Sequence, residues 1–274
     1  MSRDAAARSP RTGRAWHWDR AHVLLTGAAG AIGSALARAI AKRSRTAKLS
    51  LVDVSEDACA PFARELGENA RAFGWDLAKP DDLPAHVDAL VKERGDIDAL
   101  VNCAGIMEVQ SIATMPWETG ARVIKIDFES PMRLMSLCVP SMIARKKGVI
   151  VNVTSMAGRT PLRGCTFYGG AKAGLTMASE IARMELEDKG VHVVTVLPGP
   201  VRSGLEAHAR AAFPESAVTR FIPTGTPGPL AAQIVRACEE NRARVVYPRF
   251  YDAANRMPSL ATRATELLSP HPKN

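Results

Sequence analysis

The sequence lacks the long apolar runs and paired cysteines that mark membrane proteins and disulfide-stabilised proteins. No run in its 274 residues reaches the ~20 consecutive apolar positions that a membrane-spanning helix requires. The five cysteines are scattered and form no C-x-x-C pair. This pattern predicts free thiols in a reducing compartment, without a disulfide framework or a metal site. We therefore expect a cytoplasmic protein with no integral membrane segment.

The chain also lacks any Lys/Arg run interleaved with aromatic residues, although it is basic overall. Its formal net charge is +8 and its pI is about 9.5. Without a nucleic-acid-binding motif, this excess of positive charge does not indicate a nucleic acid as partner. A basic surface of this kind attracts an anionic cofactor or substrate.

The first 20 residues are rich in Arg and contain no apolar segment of the kind found in a signal peptide. The segment resembles an organellar transit peptide in its Arg content, but Asp4 and Asp19 argue against one. We predict that residues 1–20 form a flexible arm, whose end Trp16 and Trp18 anchor on the domain. Residues 21–274 contain no internal repeat or linker and are predicted to form a single domain.

From residue 22 onward, short apolar strands alternate with segments of helical periodicity. This order predicts an α/β fold: a doubly wound parallel sheet (Rossmann fold) of about seven strands with helices on both faces. The predicted strands cover residues 22–26, 49–53, 71–75, 97–101, 148–154, 191–197 and 245–247. The predicted helices cover residues 34–42, 58–67, 81–93, 116–145, 167–189, 230–241 and 253–268. Residues 199–229, rich in Gly and Pro, are predicted to form a substrate lid.

A glycine-rich turn joins the first predicted strand to the first predicted helix. Gly27, Gly30 and Gly33 allow a tight turn, the approach of a pyrophosphate and close packing of helix on strand. Asp53 ends the second strand about 20 residues later, where an acid binds the ribose hydroxyls of NAD. The alternative is that Asp53 is a loop residue or a helix N-cap. A carboxylate here would repel a 2′-phosphate, so we expect NAD rather than NADP.

A hydroxyl, a phenol and an amine follow one another between residues 155 and 172. Ser155 ends an apolar strand, and Tyr168 and Lys172 lie one turn apart on one helix face. The Lys172 ammonium is expected to lower the pKa of Tyr168, since it favours the phenolate. Such a Tyr can exchange a proton with an alcohol or ketone oxygen. The alternative is a chance Tyr-x-x-x-Lys pair on a helix surface.

Taken in order, these motifs resemble the short-chain dehydrogenase/reductase family, in its compact, non-extended branch. The resemblance covers roughly residues 21–250. It rests on Thr26-Gly27-x-x-Gly30-x-x-Gly33, Asp53, Asp76-Leu77, Asn102-x-Ala104-Gly105, Ser155, Tyr168-x-x-x-Lys172 and Pro198-Gly199.

The resemblance implies an NAD(P)-dependent oxidoreductase that interconverts a secondary alcohol and a ketone by hydride transfer. Tyr168 would be the general acid/base, Lys172 would lower its pKa and bind the nicotinamide ribose, and Ser155 would hold the substrate oxygen. The implied cofactor contacts are Gly27, Ala29, Gly30, Ala31, Ile32, Gly33, Asp53, Val54, Asp76, Leu77, Asn102, Ala104, Gly105, Tyr168, Lys172, Pro198, Gly199, Val201 and Ser203.

Three positions depart from the family pattern. Ala31 stands where the compact branch has a glycine, and the spacing of Gly30 is usual in the extended branch. Asp127 stands where the family often has an Asn that completes a proton relay, and we expect Asp127 to be the fourth catalytic residue. A carboxylate near Lys172 would favour its ammonium form. The third departure, Cys103, replaces a residue that is often Asn.

The residues that follow the strand ends predict a largely apolar substrate pocket and thus a hydrophobic alcohol or ketone. They are Met107, Met156, Leu162, Leu205 and Phe213. Each could equally belong to the core. By resemblance, the long helices at 116–145 and 167–189 imply a homodimer or homotetramer. The amphipathic segment 251–268 could cover the pocket, a neighbouring subunit or a membrane surface.

Two other functions remain compatible with the pattern. A non-catalytic dinucleotide-binding regulator could share the fold, but it would have no need to keep Ser155, Tyr168 and Lys172 together. An extended-branch epimerase or dehydratase would match the Gly30 spacing, but it requires a larger substrate domain after Pro198.

Overall fold

The computed structural model describes residues 15–214, 223–257, 259, 262, 263, 265, 266 and 272. Its centre is a seven-stranded sheet in the order β3-β2-β1-β4-β5-β6-β7, and every neighbouring pair is parallel. The strands are β1 (His22–Thr26), β2 (Lys48–Asp53), β3 (Ala70–Gly74), β4 (Ala99–Asn102), β5 (Gly148–Val153), β6 (Val191–Pro198) and β7 (Arg244–Tyr247). The predicted doubly wound parallel sheet is confirmed.

Helices cover both faces of the sheet, because successive strand residues point to opposite sides. Val23 and Leu25 of β1 belong to one core cluster, whereas Leu24 belongs to the other. The α-helices are α1 (Ala31–Arg43), α2 (Glu56–Leu66), α3 (Leu83–Arg94), α4 (Trp117–Ile124), α5 (Ser130–Ala144), α6 (Thr166–Leu186), α7 (Gly204–Ala211), α8 (Pro227–Glu239) and α9 (Tyr251–Arg256). The first cluster includes buried residues of α1, α2 and α8, and the second those of α3 and α5.

The long helix predicted over residues 116–145 is interrupted. A π-helical turn, Lys125–Glu129, separates α4 from α5. Pro131 lies two residues after this turn and has no N–H to donate, so regular α-helical hydrogen bonding cannot continue through it. The widened turn buries Ile126 and Asp127. Single π-helical turns of this kind often occur at functional sites.

The end of the predicted N-terminal arm packs on the domain. Trp16 and Trp18 are buried, with their ring centroids 5.8 Å apart in an edge-to-face arrangement. The Lys147 ammonium lies 5.8 Å from the centre of the Trp16 ring. Residues 1–14 of that arm, residues 215–222 of the predicted lid and much of the predicted helix 253–268 lie outside the described residues. In the part of the chain described, no helix is long and apolar enough to cross a membrane.

A charged cluster closes the amino-terminal edge of the sheet. Asp98 Oδ2 accepts the His22 N–H at 3.0 Å, and Asp98 Oδ1 accepts from Arg145 Nη1 at 2.5 Å and lies 3.2 Å from Lys147 Nζ. Burial alone would raise the pKa of Asp98, but these donors outweigh it and lower that pKa. The His22 ring lies 2.8 Å from both Gly95 O and Ser50 Oγ.

Candidate active site

A cavity of about 1030 Å³ opens at the carboxyl-terminal edge of the sheet. It lies where β1 and β4 are neighbours and the strand order reverses, which is the usual ligand position in doubly wound folds. The predicted site residues in its lining are Gly27, Ala29, Gly30, Ala31, Ile32, Gly33, Asp53, Val54, Asp76, Leu77, Ala104, Gly105, Met107, Ser155, Met156, Leu162, Tyr168, Lys172, Pro198, Gly199, Val201, Ser203, Leu205 and Phe213.

The glycine-rich turn is shaped as a cradle at the start of α1. Gly27 has a φ of +67°, and a Cβ added at Gly33 would lie 2.1 Å from Gly27 O. Gly30 caps α1 without a side-chain hydrogen bond, so Ala31 and the residues after it begin the helix with open N–H groups. These groups and the positive end of the helix dipole suit a pyrophosphate, and the turn therefore fits a dinucleotide.

Asp53 lies at the end of β2 and is held by the backbone. Its Oδ2 accepts the Ala29 N–H and its Oδ1 accepts the Val54 N–H, both at 2.9 Å. The cavity lining contributed by residues 27–54 contains no Lys or Arg. This corner of the cavity thus presents a fixed negative charge to whatever binds there.

Asp76 and Leu77 follow β3 at the same edge, where sequence reasoning placed the adenine. Asp76 Oδ1 accepts the Ala78 N–H at 3.0 Å. Trp75, which sequence reasoning missed, also lines the cavity and stacks on His86 with ring centroids 5.1 Å apart. Its position directly before Asp76 could have indicated it.

Ser155, Tyr168 and Lys172 line another part of the cavity, and Asp127 lies buried beneath Lys172. Ser155 follows β5, and its Oγ accepts the Ala157 N–H at 3.1 Å. Tyr168 and Lys172 project from α6, with Lys172 Nζ 5.9 Å from the centre of the Tyr168 ring. The Ser155 hydroxyl lies close enough to Tyr168 to favour its phenolate. The structure thus brings all four predicted catalytic residues together.

The expectation that the pKa of Tyr168 is lowered is wrong for the protein by itself. Burial raises the pKa of Tyr168 well above its usual value, and the nearby Asp127 carboxylate raises it further. The nearby Ser155 hydroxyl opposes this shift but does not outweigh it. The Lys172 ammonium lies 3.4 Å from Asp127 Oδ1, so its positive charge is offset at close range.

Asp127 is completely buried beneath Lys172 and does not itself line the cavity. Its Oδ1 accepts the Ile106 N–H at 3.1 Å, whereas its Oδ2 has no hydrogen-bond partner in the described part of the chain. Burial raises the pKa of Asp127 to about 6, although Lys172 and the Ile106 N–H oppose the shift. A Cβ at Gly105 would lie 2.8 Å from Asp127 Oδ1, so only glycine leaves room for this carboxylate.

Asn102 lies below the cavity rather than in its lining. Its Nδ2 donates to Asn152 Oδ1 at 2.8 Å, and Asn152 Nδ2 donates to Ser179 Oγ at 2.8 Å. This buried ladder ties β4 and β5 to α6, the helix that carries Tyr168. Asn102 therefore supports the site from underneath.

The far end of the cavity is largely apolar, as the sequence predicted. Phe250 and Tyr251, which sequence reasoning missed, also line it, together with the ion-paired Glu206 and Arg210. The position of Phe250 and Tyr251 just after β7 could have indicated them, because functional residues collect at the carboxyl ends of parallel strands. Ser203 lines the cavity and caps α7, accepting the Glu206 N–H at 3.1 Å. Among the described residues, no group of acidic, His and Cys side chains could hold a metal ion.

Comparison with known proteins gives the family. The family model described as short chain dehydrogenase matches residues 21–213. The chain is 31% identical over 209 residues to a cyclohexanol dehydrogenase of Acinetobacter sp. strain SE19, covering 75% of this chain and 81% of the relative. It is 34% identical over 179 residues to a galactitol 2-dehydrogenase of Agrobacterium fabrum, covering 65% and 69%.

A solved structure agrees with this assignment. A short-chain dehydrogenase from Sphingobium yanoikuyae in complex with NADPH superposes with a TM-score of 0.75 at 26% identity, covering 91% of this chain and 95% of that one. The chain belongs to the short-chain dehydrogenase family. This is a family of oxidoreductases that bind a nicotinamide dinucleotide.

Proposed function

We propose that the protein is an NAD(P)-dependent oxidoreductase that interconverts a secondary alcohol and a ketone, with Tyr168 as general acid/base. One observation carries this proposal. The Ser155 hydroxyl, the Tyr168 phenol and the Lys172 ammonium share one cavity with the glycine-rich turn and Asp53. A dinucleotide held by the turn and a carbonyl held by the hydroxyls would therefore lie in the same space.

Different residues of the chain bind different parts of the cofactor. The open N–H groups at the start of α1 bind the pyrophosphate, and Asp53 binds the adenosine ribose. Lys172 donates one hydrogen bond to Val153 O at 3.2 Å and contacts Asp127, which leaves donor capacity for the nicotinamide ribose. When bound, the nicotinamide ring supplies or accepts the hydride.

Tyr168 and Ser155 handle the oxygen of the substrate. Ser155 positions that oxygen beside the Tyr168 phenol, which lines the same cavity. In ketone reduction, Tyr168 gives its proton to the oxygen, and in alcohol oxidation its phenolate takes the proton away. Burial of the phenol keeps bulk water from competing for this transfer.

We propose NAD as the preferred cofactor, because the fixed Asp53 carboxylate would repel a 2′-phosphate. A related structure is a complex with NADPH, so the preference needs a direct test. Binding of both cofactors is to be titrated by tyrosine or tryptophan fluorescence in the wild-type protein and in Asp53→Ser. We expect tighter NAD binding in the wild type and a relative gain for NADP in the variant. Tighter binding of NADP by the wild type would contradict the assignment.

The substrate class follows from the apolar end of the cavity. Met107, Met156, Leu162, Leu205 and Phe213 favour a hydrophobic alcohol or ketone, closer to cyclohexanol than to the polyol galactitol. As part of this proposal, the described residues of the predicted lid, 199–214 and 223–229, cover the substrate. They include α7, where His208 Nε2 lies 3.4 Å from Glu108 Oε2.

We also propose that the protein acts as a homodimer or homotetramer in the cytoplasm. Met177, Ile181 and Met184 are exposed at helical spacing on α6, with Met184 69% exposed, and a second copy would cover this stripe. All five cysteines are free thiols, which supports a reducing compartment. Sedimentation of the wild type and of Met184→Glu tests the assembly, and an unchanged oligomer in the variant would exclude this face.

The decisive experiment measures both reaction directions over a panel of hydrophobic secondary alcohols and their ketones. We expect Tyr168→Phe to lower kcat/KM by about 10²–10⁴-fold while cofactor binding is retained. Tyr247→Phe is the matched control, because its hydroxyl contacts the Thr226 N–H rather than the cavity. Unchanged turnover by Tyr168→Phe would refute the role of Tyr168.

A further inference from the structure

The fourth residue of the catalytic group carries a charge and lies deeper in the protein than the other three. Asp127 is fully buried in the π-helical turn between α4 and α5. Among the described residues, only one of its two oxygens has partners, the Ile106 N–H and Lys172 Nζ. A buried carboxylate oxygen without a donor is costly, so this arrangement is not explained by stability.

The groups that face Asp127 can all be named. Lys172 and Tyr168 face it from α6, and the Ile106 N–H faces it from the segment after β4. Tyr168 is itself affected first by burial, and then by Asp127, Ser155 and Cys165. Burial raises the pKa of the Cys165 thiol to about 12, so Cys165 is neutral and adds no charge. The charged groups that act on Tyr168 are therefore the Asp127 carboxylate and the Lys172 ammonium, whose Nζ lies 5.9 Å from the centre of the Tyr168 ring.

These two charges act on Tyr168 in opposite directions. An ammonium stabilises the phenolate, whereas a carboxylate stabilises the phenol. Because Asp127 Oδ1 lies 3.4 Å from Lys172 Nζ, the pair presents little net charge to the phenol. A neutral amide at this position would leave the ammonium uncompensated and would favour the phenolate.

We propose that Asp127 is a positioning residue that offsets Lys172 and so keeps Tyr168 a phenol over a wide pH range, which makes the site better suited to reducing ketones than to oxidising alcohols at neutral pH. This inference rests on the proposed function. Ketone reduction consumes one hydride from a reduced nicotinamide and one proton from the phenol, and the resulting phenolate is reprotonated from water. Alcohol oxidation reverses each step and must begin from the phenolate.

The first test is a titration of Tyr168 that needs neither cofactor nor substrate. The chain has three tyrosines, Tyr168, Tyr247 and Tyr251, so ultraviolet absorbance of tyrosinate is easily assigned. Titration curves are recorded for the wild type, Tyr168→Phe, Asp127→Asn and the double variant. In each background, the difference between the curves with and without Tyr168→Phe gives the titration of Tyr168 alone. We expect the Tyr168 phenolate to form about one pH unit lower, or more, when Asp127 is Asn.

Glu129→Gln is the matched control, because it removes one negative charge from the same π-helical turn at an exposed position. It should leave the Tyr168 titration unchanged. If Asp127→Asn does not fold, Asp127→Ser provides a second neutral side chain. A Tyr168 step at the same or a higher pH in the Asp127 variants, or no step in either background up to alkaline unfolding, would overturn the proposal.

The second test is the pH profile of turnover in both directions. We expect the alkaline rise of alcohol oxidation to move to lower pH by about one unit in Asp127→Asn, which is about tenfold faster oxidation on that limb, with no matching gain in reduction. A purely structural role would lower both directions without moving the profile. If the wild type turns over no alcohol or ketone, the proposed function fails, while the tyrosinate titration still decides the role of Asp127.

Discussion

Two buried aspartates, Asp98 and Asp127, lie near opposite edges of the same sheet and differ in their hydrogen-bond donors and in the direction of their pKa shifts. Asp98, at the amino-terminal edge, has donors for both oxygens: the His22 N–H, Arg145 and Lys147. Asp127, beneath the cavity at the carboxyl-terminal edge, has two neighbours for one oxygen and none described for the other. The pKa of Asp98 is lowered, and that of Asp127 is raised to about 6.

The difference shows that burial alone does not decide the charge of a carboxyl group. Burial raises the pKa in both cases, and the number and charge of the donors decide the outcome. Donors satisfy Asp98, so its cluster holds β1, β4 and the start of β5 together. Asp127 is left short of donors beside the residues that handle the proton. The charged cluster at the amino-terminal edge thus stabilises the sheet, whereas Asp127 at the carboxyl-terminal edge belongs to the candidate active site.

The largest expected effect is on stability, from Asp98→Asn. The substitution removes the negative charge that Arg145 and Lys147 face. It also replaces one carboxylate oxygen with an amide NH2 group, which donates hydrogen bonds and would compete with the His22 N–H. We expect a loss of about 2–3 kcal/mol in the free energy of unfolding, measured in urea. The pH profile of turnover should not change, because Asp98 lies outside the cavity. A loss below about 0.5 kcal/mol in the free energy of unfolding would mean that Asp98 does not stabilise the amino-terminal edge, and the contrast with Asp127 would not hold.

Asp127→Asn should have a smaller and pH-dependent effect on stability. Because the pKa of Asp127 is about 6 in the folded protein and about 3.9 in an unfolded chain, the folded state binds more protons between these values. Wild-type stability should therefore fall, relative to the variant, as the pH rises from about 4 to 6, by roughly 2 kcal/mol. Urea unfolding of the wild type and Asp127→Asn across this pH range measures the change. If the two free energies of unfolding differ by the same amount at every pH, Asp127 does not titrate in this range.

His22 should produce the opposite slope at the amino-terminal edge. Burial lowers the pKa of His22 below 6.5, although its contact with Gly95 O opposes the shift. The unfolded chain then binds the proton more readily, so stability should fall as the pH drops below about 6.5. In His22→Gln, the free energy of unfolding should depend less on pH below about 6.5. NMR of the imidazole should show His22 titrating below 6.5. A His22 that titrates above 6.5 would reverse the expected sign.

The sequence was sufficient to predict much of the fold and most of the cavity. In a parallel sheet, all strand ends that carry functional residues meet at one edge, so Gly27, Asp53 and Ser155 could be placed together from their order alone. The seven-stranded sheet follows from the regular alternation of strands and helices, and the family resemblance follows from the motifs that occur in order along it.

What the sequence could not predict depends on tertiary distances. The sign of the Tyr168 pKa shift depends on how deeply the phenol is buried and on how closely Asp127 approaches Lys172, and neither is a property of a motif. The π-helical turn that places Asp127 lies within the helix predicted over residues 116–145, and its position does not follow from the helical pattern. Phe250 and Tyr251 reach the cavity after a strand whose position in the sheet had to be known first.

The smallest effect is expected from the exposed pair formed by His208 of α7 and Glu108, and it tests whether burial is what makes the interactions of Asp98 and Asp127 strong. His208 and Glu108 keep 62% and 41% of their side chains exposed, so water and salt screen their interaction. We expect His208→Ala to change KM by less than about threefold and to leave kcat unchanged, with the difference vanishing at high salt. Glu108→Gln should behave in the same way, since either variant removes the same contact. Steady-state kinetics at low and high ionic strength measure this. A tenfold or salt-independent effect would mean that an exposed pair matters as much as a buried one, and burial would then not explain why the interactions of Asp98 and Asp127 are strong.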